Sequence, residues 1–139
     1  MNQALVQFLN GLNSESGVAI GLVITPPGGG TVHAIRKHFD GQPVMLGFAA
    51  TSQEDLANLT ARHVMRMKVD KHDTLVIDLE CTNGTWLQAS PFDYMLRSML
   101  ENDPALNLTI KRVVLISYQK GFKLSPATME RVQTHVVEA

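Results

Sequence analysis

The sequence predicts an α/β fold, a single three-layer domain spanning residues 1–139, with a mixed sheet of four or five strands and helices on its faces. Two observations carry that prediction. Gly17–Thr25, Thr74–Cys81 and Lys111–Tyr118 are short, β-branched-rich apolar runs of the kind that form strands buried on both faces. In the second half such runs alternate with stretches of helical periodicity, which implies parallel neighbours joined by right-handed crossovers. A fully parallel, doubly wound sheet of four strands is the alternative arrangement.

Each element has its own local reason. Ala4, Leu5, Phe8, Leu9 and Leu12 share one helical face, so Asn2–Leu12 reads as a short amphipathic helix. Gly17–Thr25 then forms a central strand, closed by Pro26-Pro27-Gly28-Gly29-Gly30. Thr31–Phe39 is ambiguous. Val32, Ile35 and Phe39 recur at helical spacing, but Asp40-Gly41 is a hairpin signal before the strand Pro43–Ala50, which favours a strand. A strand there makes the first half an antiparallel meander, whereas a helix makes the sheet parallel.

The second half reads more simply. Ser52 caps a helix with Glu54 and Asp55 in its first turn and Leu56, Leu59, His63 or Val64, and Met67 along its apolar stripe. Thr74–Cys81 follows as a strand, and Asn83-Gly84 could turn Thr85–Ala89 into a hairpin partner for it. Ser90-Pro91 opens the next helix, which Asn102-Asp103-Pro104 ends. Lys111–Tyr118 is the last strand, and Ser125-Pro126 opens a C-terminal helix carrying Met129, Val132 and Val136.

Composition narrows the function classes. The net charge of −1 gives no nucleic-acid footprint, and the short basic run His33, Arg36, Lys37, His38 reads as a solvated face. No apolar run approaches the roughly 20 residues of a membrane helix. The single cysteine, Cys81, and the absence of a signal peptide point to the cytoplasm, and Cys81 reads as a small packed residue. Neither CxxC nor HExxH occurs, and no GxSxG nominates a serine nucleophile.

Two constellations remain as candidate sites. Asp78 and Glu80 lie two apart on a strand and share a face, a placement that suits one hard cation, Mg²⁺ or Mn²⁺. The competing structural reading has the strand end emerging into solvent with its charges exposed. Gly28, Gly29, Gly30 and Thr31 follow a strand, where glycines let backbone N–H groups approach a phosphate, although the run matches neither GxxxxGK[ST] nor GxGxxG.

With the meander in place, the element order resembles the ribonuclease H-like superfamily, and VIDLECTNG resembles the DxExT strand of the related DEDD exonucleases. That resemblance implies a metal-dependent phosphoryl-transfer enzyme using Asp78, Glu80 and Glu54 or Asp55. The first strand of this chain carries no counterpart of the family's acidic residue. Pro43–Leu100 is also similar to the STAS domain of anti-sigma-factor antagonists, which implies a regulatory role with Ser90 near the phosphorylated position; Pro91 departs from that pattern. The expectation is a small intracellular accessory or regulatory domain that binds a protein partner or self-associates. The alternative is the metal-dependent nuclease-like enzyme.

Overall fold

A central parallel sheet, in the strand order β2-β3-β4-β1-β5, organises the computed structural model. The structure describes residues 3–14, 17–46, 53–79, 91–101, 109–119 and 124–137. The strands are β1 (Ala19–Ile24), β2 (Val44–Leu46), β3 (Thr74–Asp78), β4 (Arg112–Ser117) and β5 (Gln133–Val136). The helices are α1 (Gln3–Asn10), α2 (Thr31–His38), α3 (Gln53–Asp70), α4 (Pro91–Leu100) and the single turn α5 (Pro126–Met129). The described pairings β1–β4, β1–β5, β2–β3 and β3–β4 are all parallel. The α/β class and the three layers are as the sequence predicts, and the sheet is parallel throughout.

Alternation along the strands splits the core in two. Ile20, Leu22, Leu75, Ile77, Val113 and Leu115 face α3 and α4, packing with Leu56, Val64, Met67, Phe92, Leu96 and Met99. Ala19, Val23, Val76, Val114 and Ile116 face the other way, onto Leu5, Leu9 and Leu12 of the α1 segment and Ile35 of α2. The path explains which helix lies where. From β1 the chain passes over β4 and β3 to the far edge at β2, then steps back through β3 and β4 and crosses β1 to β5. Right-handed crossovers in opposite directions must lie on opposite faces. α2 therefore covers one face, whereas α3, α4 and the α5 segment, with Leu124 and Val132, cover the other.

Two segments differ from the sequence reading. Thr31–Phe39 is a helix over Thr31–His38, so no antiparallel meander forms. Gly41, at φ 84°, belongs to the helix exit, where Phe39 N–H bonds Ile35 O at 3.1 Å and Gln42 N–H bonds Phe39 O at 3.0 Å. The Asp-Gly pair is a helix stop rather than a hairpin turn. At the C-terminus the helix lasts one turn, and Gln133–Val136 forms β5 on the open edge of β1. An available row of backbone donors and acceptors outweighs the weak helical spacing of Met129, Val132 and Val136. Thr85–Ala89 lies outside the described residues. No described helix is long and apolar enough to cross a membrane.

Polar side chains tie the pieces together at both ends of the sheet. Arg112, opening β4, donates to Leu12 O at 3.2 Å and Thr74 Oγ1 at 2.9 Å, and pairs with Asp73 at 3.5 Å. Gln42 Oε1 accepts the backbone N–H groups of Asp73 and Thr74, both at 3.1 Å. On the α4 face, buried Asp93 accepts hydrogen bonds from Thr128 Oγ1 at 2.5 Å and from the Ser125 backbone N–H at 3.1 Å. Arg131 donates to Leu100 O at 2.6 Å at the end of α4.

Gly21 sets how closely α1 approaches β1. A Cβ there would lie 2.8 Å from Leu12 Cδ2 and 3.3 Å from Phe8 Cε2. Leu12 is fully buried and has little room to yield. Gly21→Ala is therefore expected to lower stability by about 1–3 kcal/mol, measured by urea denaturation. An unchanged midpoint would show that Leu12 relocates freely.

Candidate ligand-binding cleft

Ligands of open parallel sheets bind beyond the carboxyl ends of the strands, where neighbouring connections depart to opposite faces. Here that point lies between β1 and β4. The connection after β1 leads to α2 on one face, and the connection after β4 leads to α5 on the other.

The residues at that point form a cleft. β1 ends at Ile24, and Thr25 extends its ladder by donating its N–H to Ser117 O at 2.9 Å. The chain then turns through Pro26–Gly30, with Gly28 at φ 78° and Gly30 at φ 76°, a backbone region open to glycine at little cost. α2 begins immediately at Thr31. Thr25 Oγ1 donates to Thr31 Oγ1 at 2.7 Å, and both residues are buried, so the hydroxyl pair joins the strand end to the helix start. A depression of about 170 Å³ is lined by Thr25, Pro26, Gly28, Gly29, Gly30, Thr31, Val32 and Tyr118.

The electrostatics of the cleft follow from the first turn of α2. Its N-cap is Gly30, which supplies no side-chain hydrogen bond, and the first turn holds no acidic residue. The first intrahelical bond joins Ala34 N–H to Gly30 O at 3.0 Å. The N–H groups of Thr31, Val32 and His33 precede it and have no carbonyl within the helix. They form the positive end of the helix dipole, without a resident carboxylate to neutralise it. A Cβ at Gly28 or Gly30 would meet nothing within 4 Å, so the turn is open to close approach. Arg36, Lys37 and His38 occupy the last turn of the helix, where the dipole favours cations.

The sequence-derived candidates separate here. Gly28, Gly29, Gly30 and Thr31 come together in the cleft. Asp78 ends β3, adjacent to β4, and is not among the cleft residues. It is only 6% exposed, so Asp78 itself is not one of the solvent-exposed charges of the competing reading. Leu75, Ile77 and Leu79 pack in the α3–α4 core and Val76 in the other, so alternation places Asp78 on the α1–α2 face. Glu80, Cys81 and Ser90 lie outside the described residues. Among the described residues no three His, Cys, Asp or Glu side chains gather as a metal-binding group. The sequence reading missed Thr25 and Tyr118. Tyr118 reaches the cleft only because β1 and β4 pair in parallel, a long-range register that no local pattern announces. No protein-family model matches the chain, and no curated protein matches it.

His63 titrates on the opposite side of the sheet. It is half-buried on α3, and burial, followed by the charge of nearby Arg66, lowers its pKa below the usual 6.5. The unfolded chain thus binds this proton more tightly than the native one. The associated stability is intact above the unfolded pKa and is lost as the pH falls from 6.5 towards the lower folded value, where it levels off. The thermal midpoint should decline as the pH is lowered through 6.5, and His63→Gln should make that decline shallower. Equal slopes in the two proteins would remove His63 as a contributor.

Proposed function

We propose that this chain is a small accessory or regulatory binding domain, non-catalytic in itself, whose cleft between β1 and β4 takes a phosphate-bearing small molecule. One observation carries the reading: a glycine turn and an acid-free helix start meet at the strand-order switch of a parallel sheet. In this arrangement the phosphate accepts hydrogen bonds from the backbone N–H groups at the start of α2, in line with the helix dipole. The rest of the ligand lies against Pro26, Val32 and Tyr118. Binding through the main chain needs no lysine, which accommodates the departure from GxxxxGK[ST].

Inorganic phosphate and a nucleoside monophosphate serve as probes, read by the amide resonances of Gly28–Val32. Both are expected to shift these amides. Gly29→Asp brings a resident carboxylate to the turn while its Cβ meets only Pro26 O at 3.7 Å, so the fold is retained. Affinity should fall at least about tenfold, a loss of about 1.4 kcal/mol. Amides that stay in place at saturating phosphate, or an affinity untouched by Gly29→Asp, would falsify the reading.

A metal titration separates the enzymatic alternative. For the binding domain, millimolar Mg²⁺ or Mn²⁺ alone leaves the thermal midpoint unchanged. A metal-dependent rise in the wild type that disappears in Asp78→Asn would instead support a phosphoryl-transfer centre.

A further inference from the structure

The middle of α3 carries a cluster of basic side chains. Between Leu56 and Val69 the helix contains Arg62, His63, Arg66 and Lys68 and no carboxylate, in a chain whose net charge is −1. The acidic residues of α3, Glu54, Asp55 and Asp70, are confined to its two ends. Leu59, Arg62, His63 and Arg66 follow the i, i+3, i+4, i+7 spacing of one flank, and together they line a depression of about 310 Å³. Arg62 and Arg66 are exposed, and among the described residues neither forms an ion pair, whereas Arg112 pairs with Asp73.

This placement has an electrostatic cost. Like charges at i and i+4 on a helix repel each other, and a carboxylate at either position would relieve the repulsion. His63 adds a third basic group beside them, in surroundings that already disfavour its charged form. An anion in the depression would supply a countercharge, with the guanidinium groups offering paired donors to phosphate oxygens.

We propose that Arg62, His63 and Arg66, on the floor provided by Leu59, form a second anion site that takes a phosphate group carrying at least two negative charges. The site is independent of the β1–β4 cleft. α3 packs on the face of Leu56, Val64 and Met67, whereas the cleft residues Val32 and Tyr118 pack in the core on the other face. The phosphate can belong to a soluble molecule or to a lipid headgroup, since both present the same oxygens to the arginines.

The test uses the full chain at constant ionic strength, with the His63 imidazole resonances as the readout. One arm adds inorganic pyrophosphate, and the other adds phosphatidylcholine vesicles with and without phosphatidic acid. Pyrophosphate that moves His63 and binds about tenfold more weakly to Arg62→Ala and to Arg66→Ala supports a soluble ligand. A His63 response only to vesicles containing phosphatidic acid, lost in the same variants, supports a headgroup. In either case Gly29→Asp should leave the His63 response intact, so failure of the cleft proposal and failure of this one are distinguishable. Both arginines are exposed, and their replacement leaves the core in place. The proposal is overturned if His63 responds to neither probe, or if the Arg62→Ala/Arg66→Ala double variant responds as the wild type does.

Discussion

β1 is the strand on which the other layers depend. It bonds in parallel to β4 along one edge and to β5 along the other, and all six of its residues are buried. Ile20, Leu22 and Ile24 enter one core cluster while Ala19 and Val23 enter the other, so a single strand joins both hydrophobic layers. Gly21 completes the arrangement by leaving room for Leu12 and Phe8, which brings α1 close onto the sheet.

The reversal of strand order beside β1 has both an architectural and a chemical consequence. Because the chain leaves β1 in one direction and leaves β4 in the other, right-handed connections carry the following segments to opposite faces. Among the described residues, the carboxyl ends of the two strands border a depression between them. The turn after β1 lies there with φ-positive glycines and a helix start that lacks an acidic cap. Arg112, Gln42 and Asp93, by contrast, find hydrogen-bond partners within the described residues. The start of α2, with no acidic residue in its first turn, and the arginines of α3, with no ion pair among the described residues, are the places suited to an external anion.

Legibility in the sequence varied with how local the controlling interaction was. β1, β3 and β4 read correctly because continuous apolar runs need burial on both faces, whatever their neighbours. α3 and α4 read correctly because an apolar stripe, acidic residues in the first turn and Pro91 at a helix start act within one helix. Thr31–Phe39 was ambiguous because Asp40-Gly41 suits both a hairpin and a helix exit, and only the packing of Ile35 against Val76, Val114 and Ile116 decides between them. Val132 and Val136 have helical spacing, yet the vacant edge of β1 draws Gln133–Val136 into the sheet.

By itself the sequence determined the α/β class, the central strands, the main helices and the glycine turn, since each depends on periodicity, capping or backbone conformation over a few residues. The tertiary structure decided the parallel sense of the sheet, the strand order, the fifth strand and the company that the glycine turn keeps. Those depend on pairings between distant segments: Thr25 meets Tyr118 in one cleft only when β1 lies beside β4. Local patterns specify which surface a segment must bury, but not which other segment will cover it.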